Sequence, residues 1–314
     1  MTTRRFDSVD YSKLPAPDAI EAWAHQAILD ARMADFVARW TAARAKDPSL
    51  PPYTVAPLET DPVVIVEQTD AWREGLVRQR INDAIRATYL ASAQGADLVA
   101  RAAEYLTAPA AGESAESLRA RAQLAWENLS IGGSYGGYAY QARSVAPADI
   151  ADVAVWGYEV ASPDLFGDHA ILSFPKGEVR IVVLGNTDTG APAAGLVARV
   201  QAALSDRARR KVNDNINVVS ATLRPHIVDA TLVLRRGAVP QDMIAAARKR
   251  VAAYGAMTRL VGVEATRGGY LAALMADQPG LVVDVDLRAP AGPVGGGPCE
   301  APVLTGAHLD WRHA

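Results

Sequence analysis

Cysteine is nearly absent from this chain, since Cys299 is the only one among 314 residues. An intrachain disulfide is therefore excluded, and secretion by disulfide-dependent folding is not expected. The sequence also lacks any run of about 18 apolar residues. Its start, Met1 to Asp7, lacks the apolar segment of a signal peptide. We therefore expect a protein that is made and assembled in the cytoplasm.

A strong excess of charge of either sign is lacking as well. The sequence has 32 Lys and Arg against 35 Asp and Glu, so its net charge is -3. Without a basic field there is no general attraction to nucleic acid or to an anionic membrane, and we expect neither as a partner. The 50% hydrophobic and 21% charged residues are typical of a globular chain. Its length suffices for roughly two or three domains.

Catalytic motifs are scarce. The glycine cluster at 132–137 follows a predicted helix and lacks the G-x-G-x-x-G spacing of a phosphate-binding loop, so it predicts a turn between helices. Asp188-Thr189-Gly190 matches the active tripeptide of aspartic proteases, but Asn186 and Thr187 stand where a buried strand should lead in. We expect no enzymatic activity. A hydrolase that uses Asp188 is the alternative.

Metal and cofactor sites are not expected either. The segment 213–217 begins like a calcium loop, but Val218 occupies the glycine position and Arg224 the position of the bidentate glutamate. The histidines are scattered along the sequence. A cluster of basic residues lies at the end of a predicted helix, where its charges interact favourably with the helix dipole. We expect it to form a solvated face, and contact with nucleic acid is the alternative. The cluster comprises Arg207, Arg209, Arg210 and Lys211.

The sequence does contain one long amphipathic interval, between residues 61 and 98. Asp61 suits a helix cap, Pro62 the first helical position and Gly95 a left-handed stop. The interval predicts one helix of roughly 45 Å at about 1.5 Å per residue, unless Gly75 bends it. Because this length exceeds the diameter of a small domain, we expect part of the helix to pack outside its own domain.

The apolar residues of this predicted helix form two faces. At about 100° per residue, one face carries Ile65, Thr69, Trp72 and Leu76, and the other carries Val63, Val66, Val77, Ile81, Ile85 and Thr88. Glu74 is expected to pair with Arg78 one turn on. Two apolar faces imply two sets of neighbours. A core helix of a large monomer and a helix shared in an intermolecular bundle both satisfy this pattern.

Several short blocks of sequence carry a resemblance to a known family, and this resemblance covers nearly the whole chain in order. They are Leu14–Pro17, Glu59–Pro62, Arg78–Ala84, Gly95–Leu98, Leu118–Arg121 through Leu129–Ser130 and Ala139–Tyr140, Gly177–Leu184 and Val228–Leu232. In these blocks the chain resembles the baseplate J-like family of contractile bacteriophage tails, the family of baseplate assembly protein J.

This resemblance implies a structural component of the baseplate wedge in the virion. Two copies would join one copy of a second wedge protein, baseplate protein I, through a shared bundle of N-terminal helices. Six wedges would ring the central hub and spike, contact the small wedge protein that initiates the sheath, and couple baseplate rearrangement to sheath contraction. Assembly would take place in the cytoplasm of the bacterial host. The same role in a tailocin-like injection machine is an alternative.

Seven residues of the long helix are predicted to form the bundle interface. They are Trp72, Leu76, Val77, Arg80, Ile81, Asp83 and Ile85. The apolar side chains would be buried between chains. Arg80 and Asp83 would set the register through charged hydrogen bonds, which discriminate between partners more than they add affinity.

The predicted fold class is α+β and multidomain. Residues 1–109 would form an N-terminal arm and a helical wedge-bundle domain, and residues 110–150 a helical middle segment. From residue 151 the apolar residues alternate as in strands, which predicts an α/β ring-contact domain over 151–290. Its mixed sheet would be covered by helices on one side. The Pro- and Gly-rich stretch after Arg288 predicts a flexible C-terminal tail over 291–314.

Overall fold

The computed structural model describes residues 14–15, 17–54, 58–130, 132–157, 175, 177–207, 209–276 and 280–314. The chain divides into two compact units, one ending at Arg101 and the other running from Ala102 to Ala314. Helices and mixed sheets are both present, so the α+β class is confirmed. None of the described helices combines the length and the apolar composition needed to cross a membrane.

The N-terminal unit is helical. Its helices are α1 (His25–Lys46), α2 (Pro62–Thr88) and α3 (Gly95–Glu104), the last of which runs past the unit boundary. The Asp61 carboxylate caps α2 by accepting hydrogen bonds from the backbone N–H groups of Val63 (2.9 Å) and Val64 (3.3 Å). The hydroxyl of Tyr53 donates to the same carboxylate at 2.8 Å. Burial and this hydrogen bond raise the pKa of Tyr53 to about 12.

The prediction of one helix from Asp61 to Gly95 is wrong at its C-terminal end. Helix α2 has 27 residues, or about 40 Å, because Tyr89 adopts an extended backbone conformation. The Ser92 hydroxyl donates to the carbonyl of Arg86 at 2.7 Å and satisfies an acceptor at the helix end. The backbone of Gly95 has the predicted left-handed conformation, with φ of 53°. However, Gly95 is the first residue of α3 and not the residue that ends α2.

The first half of the C-terminal unit packs three helices on a three-stranded sheet. Its elements are α4 (Ala115–Asn128), α5 (Tyr135–Val145), β1 (Ile150–Trp156), β2 (Glu178–Gly185), α6 (Leu196–Ser205) and β3 (Asn215–Ser220). Strand β2 is central, antiparallel to β1 and parallel to β3. Ala142 of α5, Ile181 of β2 and Val200 of α6 are fully buried in one core. The helices predicted as a separate middle segment therefore share a core with this sheet.

The second half builds another mixed sheet. Its elements are β4 (Thr222–Leu234), α7 (Pro240–Thr258), β5 (Glu264–Ala265), α8 (Arg267–Met275), β6 (Val282–Ala289), β7 (Val294–Gly295) and β8 (Glu300–His313). Strand β4 is central, antiparallel to β6 and parallel to β8, while β5 and β7 form a two-stranded ribbon. Val251 of α7 and Tyr270 of α8 are fully buried against β4. The described residues thus form two three-stranded sheets where the sequence predicted one.

The prediction of a flexible tail over residues 291–314 is wrong for residues 300–313. These residues form β8, which pairs with β4 from Thr222 to Leu234. Ala301, Val303 and Leu309 are buried. The preceding Pro- and Gly-rich stretch is a connection that includes β7, and it leads the chain back to the sheet.

The two sheets are held together by buried polar contacts. The indole N–H of Trp156 donates to the carbonyl of Pro298 at 2.7 Å. The buried carboxylate of Asp152 accepts from the backbone N–H of Val261 at 2.8 Å and from Arg143 at 2.7 Å. Because Pro298 and Val261 belong to the second half of the unit, their contacts with Trp156 and Asp152 connect the two halves.

Candidate assembly surface on the long helix

Helix α2 packs on α1 through a seam of small or polar residues. The buried positions of α2 are Val64, Ala71, Gly75 and Asn82. Their spacing of seven, four and seven residues places them on one face of the helix. A Cβ atom on Gly75 would lie 2.5 Å from Cζ3 of Trp23, so the close approach of this ring requires glycine. The face of α2 that is covered within the chain is therefore neither of the two apolar faces predicted from the sequence.

Polar side chains fix the antiparallel arrangement of α1 and α2. The Asn82 amide donates to the carbonyl of Glu21 at 2.8 Å and accepts from the N–H of Glu21 at 3.1 Å. At the other end, Arg32 donates to Glu67 at 2.7 Å and to Asp70 at 3.3 Å. Because Glu21 precedes α1 and Arg32 lies within it, these contacts hold the two helices at separate points.

Replacing Asn82 with Ala is expected to loosen the start of α1. Both part-buried hydrogen bonds to the backbone of Glu21 would be lost, and at a net value of roughly 0.5–1.5 kcal/mol each this costs about 1–3 kcal/mol. The measurement is hydrogen exchange of the α1 and α2 amides in the full chain. Gln79→Ala is the matched control, since the Gln79 amide donates only within α2, to Asp83. Unchanged protection of α1 in the Asn82 variant would contradict this assignment.

The remaining circumference of α2 carries six large apolar side chains that the described residues leave about half exposed. They are Ile65, Val66, Trp72, Leu76, Val77 and Ile81, and each is between 49% and 59% exposed. We call this set the apolar surface of α2. At about 100° per residue it divides into a stripe of Ile65, Trp72 and Leu76 and a stripe of Val66, Val77 and Ile81. Exposed apolar side chains aligned in this way make α2 the candidate interaction surface of the chain.

The predicted interface residues do not all occupy the same environment. Trp72, Leu76, Val77 and Ile81 belong to the apolar surface of α2, and Ile85 is half-buried. Arg80 is exposed. Asp83 is also exposed, and its carboxylate accepts from Gln79 at 2.7 Å and from Arg86 at 3.1 Å. The expected pair of Glu74 and Arg78 is confirmed at 2.9 Å.

Sequence reasoning missed the seam toward α1. The signal was available in the regular spacing of Ala71 and Gly75 with Val64 and Asn82. It was overlooked because alanine, glycine and asparagine contribute little to an apolar stripe.

The motifs that suggested catalysis lie in turns. Asp188 is exposed in the turn after β2, which is closed by a hydrogen bond from Gly185 N–H to the carbonyl of Gly190 at 2.9 Å. An aspartic-protease carboxylate instead shares a proton with a second carboxylate close by. In the described part of the glycine cluster, Ser134 caps α5 by accepting from the N–H of Gly137 at 3.0 Å.

The segments weighed as metal sites have structural roles. Asp214, in the segment that begins like a calcium loop, accepts a hydrogen bond from the hydroxyl of Tyr138. Burial and this carboxylate raise the pKa of Tyr138. His308 and His313 lie in β8. Within the described ranges, no group of three or more His, Cys, Asp or Glu side chains is arranged to hold a metal ion.

A chain with two compact units and a helix whose large apolar side chains are about half exposed has the features of an assembly subunit, a class of protein in which such faces are typically covered by other chains. The model of the Baseplate J-like N-terminal domain matches residues 59–111, which include α2 and α3. The chain is also 32% identical over 297 residues to Baseplate protein J of Escherichia phage P2, with 90% of each chain covered.

The chain therefore belongs to the baseplate J-like family. It is a structural protein of the virion, located in the baseplate of a bacteriophage tail. Membership of this family implies association with other baseplate proteins.

Proposed function

We propose that this protein is a wedge subunit whose helix α2 is shared in an intermolecular helix bundle. The observation that carries the proposal is the apolar surface of α2, six large side chains that the chain itself leaves about half exposed. Completing the burial of each would contribute roughly 1 kcal/mol, and matching residues of a partner a similar amount. Association costs at least about 4 kcal/mol, so several of these residues must be buried together.

The two stripes call for two different neighbours. The stripe with Trp72 and the stripe with Ile81 are separated by Arg73 and Arg80, both exposed. A single partner helix covers one stripe, whereas a bundle of three or more helices covers both. The exposed guanidinium of Arg80 is available to a carboxylate of a neighbouring chain, which would set the register and discriminate between partners.

The bundle we propose contains two copies of this protein and one copy of baseplate protein I. Six such wedges surround the central hub and spike and contact the small wedge protein that initiates the sheath. The α/β part, residues 151–290, supplies contacts between neighbours in the ring, and rearrangement of that ring is coupled to sheath contraction. Assembly takes place in the cytoplasm of the bacterial host. The support is the family membership together with the uncovered surface of α2.

The double variant Trp72→Ala with Ile81→Asp tests the bundle, because it alters both stripes and none of the four buried residues of the seam toward α1. Truncating central aromatic anchors of interfaces typically costs about 2 kcal/mol or more, and a carboxylate in the second stripe adds a desolvation cost. We expect no wedge complex when the variant is co-expressed with its baseplate partner and analysed by size-exclusion chromatography with light scattering.

Val212→Asp is the matched control, since Val212 is 92% exposed in the C-terminal unit and is likewise changed from an apolar to an acidic residue. It should form complexes at the wild-type yield. Unchanged circular dichroism of the double variant shows that α1 and α2 still fold. A wild-type yield of complex from a folded double variant would show that α2 is not the shared helix.

A further inference from the structure

Strand β8 leaves part of one edge of the second sheet open. Its inner edge pairs with β4 throughout. The outer edge is occupied at its start, where the carbonyl of Glu300 accepts from the N–H of Gly262 at 2.8 Å. From Gly306 to His313, no backbone hydrogen bond from the other described residues reaches the outer edge. An open strand edge of this length is a template for pairing with another strand.

The last residue of the chain shows which backbone groups of β8 point outward. The N–H of Ala314 donates to the carbonyl of Leu234 in β4 at 3.0 Å. Backbone groups of successive residues in a strand point to opposite sides. The N–H and C=O groups of Leu309, Trp311 and His313 are therefore directed away from β4.

The side chains between these residues carry opposite charges on the open face of the sheet. The carboxylate of Asp310 is 80% exposed, and its contact with Arg288 is long, at 3.9 Å. Arg288 is already engaged by Asp229 at 2.6 Å. Arg312 is exposed and makes no hydrogen bond or ion pair with the described residues. Both Asp310 and Arg312 are thus available to another chain.

We propose that β8 pairs antiparallel with β8 of a second copy of this protein, about a two-fold axis at Trp311. In this register Trp311 lies opposite Trp311 of the second copy, and Leu309 lies opposite His313. These pairs exchange backbone hydrogen bonds, so all the outward groups identified above are paired. Asp310 lies opposite Arg312 in the closer, non-hydrogen-bonded pair, twice by symmetry. The two three-stranded sheets become one sheet of six strands.

The charges select this register over its neighbours. An axis at Asp310 would place this carboxylate opposite its own copy, which is unfavourable. An axis at Leu309 would place Asp310 opposite His308 and leave Arg312 opposite Gly306, without a countercharge. The axis at Trp311 pairs both charges with opposite charges.

The other edge of the same sheet does not offer this complementarity. Strand β6 carries Asp284 and Asp286. Its cation, Arg288, is bound within the chain by Asp229 at 2.6 Å and by the hydroxyl of Thr231 at 2.7 Å. Exposed charges on an edge strand discourage pairing with another sheet. Self-pairing is therefore assigned to β8.

The test measures self-association of the full chain by sedimentation velocity over a range of protein concentrations. The chain carries Trp72→Ala and Ile81→Asp, so association through α2 is removed. We expect a concentration-dependent dimer. Asp310→Arg or Arg312→Asp alone should weaken the dimer roughly tenfold or more, because both symmetric pairs become repulsive. The combined swap, Asp310→Arg with Arg312→Asp, should restore it.

Arg209→Asp is the matched control, since it reverses the charge of an exposed arginine in the loop after α6. It should leave the dimer unchanged. His313→Pro tests the backbone pairing, because it removes one outward N–H and no hydrogen bond to β4. It should weaken the dimer, and thermal melts should show that each variant folds.

The inference rests on the proposed ring contacts between neighbouring subunits for its place in the baseplate, and it uses no residue of α2. A chain that stays monomeric at every concentration, a swap that does not restore the dimer, or an equal loss in the Arg209 variant would overturn it. If wild-type α2 still forms the wedge complex in that case, only the pairing of β8 is rejected. A dimer that persists while the wedge complex fails would instead reject the bundle alone.

Discussion

Deleting residues 300–314 is expected to abolish folding of the C-terminal unit. Strand β8 pairs in parallel with the central strand β4 over its full length, so its removal exposes one entire edge of β4. It also removes the buried side chains of Val303 and Leu309, each worth about 1.5–3 kcal/mol when fully buried. Added to the lost backbone hydrogen bonds, this approaches the total stability of about 5–15 kcal/mol of a typical domain.

The measurement is soluble yield and the thermal unfolding transition of the chain ending at Cys299. The control is a shorter deletion that removes only residues 312–314. Arg312 and His313 are exposed, and the loss would be confined to their pairing with the last two residues of β4 and the hydrogen bond from Ala314 N–H to the carbonyl of Leu234, 3.0 Å long. That chain should fold. A truncated protein that ends at Cys299 and unfolds like the wild type would show that residues 300–313 are the flexible tail that the sequence suggested.

Replacing Arg121 with Ala is expected to destabilise the same unit by about 3–5 kcal/mol. The side chains of Arg121 and Glu113 are 5% and 0% exposed, and they are joined by hydrogen bonds of 2.7 and 2.6 Å. Arg121 also donates to the carbonyl of Ala108 at 2.7 Å. Without the guanidinium, the carboxylate of Glu113 would be buried without a countercharge, which is the costly half of a broken buried pair.

Urea unfolding at neutral pH measures this loss. Arg199→Ala is the matched control, because it breaks the exposed pair of Arg199 with Asp149, 2.9 Å long, in the same unit. Exposed pairs contribute at most about 1 kcal/mol, so this variant should unfold close to the wild type. Similar midpoints for the two variants would contradict the role assigned to Arg121.

The destabilisation by Arg121→Ala should also shrink as the pH falls. Burial alone would raise the pKa of Glu113, but hydrogen bonds from Arg121, the Ala110 N–H and the Ser117 hydroxyl hold it below its ordinary value. In the wild type this pair stabilises the fold above the ordinary Glu pKa of about 4.3 and is lost as the pH falls through the lower folded value. In the variant, burial favours the protonated acid, so acidification relieves the penalty. A difference in stability that is constant from pH 7 to pH 4 would argue against a charged Glu113.

Local signals in the sequence were sufficient where one segment determines its own structure. The cap by Asp61 with Pro62 in the first turn is a contact within three residues, and it is found as predicted. The cap of α4 is equally local, since the hydroxyl of Ser114 accepts from the N–H of Ser117 at 3.2 Å. Alternating apolar residues correctly indicated β1 and β2.

The errors arose where distant segments decide the outcome. Strand β8 follows a Pro- and Gly-rich stretch and has few apolar residues in its second half, so it shows strand character only beside β4. The seam of α2 is set by the fit of Trp23 against Gly75. The spacing of the small residues marks that face of α2, but it does not indicate that Trp23 is the neighbour. Of the five apolar residues predicted for the bundle interface, four are among the exposed large side chains of α2. The fifth, Ile85, is more buried than these four.

The sequence by itself determined the family, the α+β class and the start of the long helix, because these depend on local residue patterns and on resemblance along the chain. Only the tertiary structure decided where α2 ends, which of its faces the chain covers, and that the C-terminus is a paired strand. The physical reason is that burial and strand pairing are properties of surfaces brought together from distant segments. No local pattern records which surface will find a neighbour.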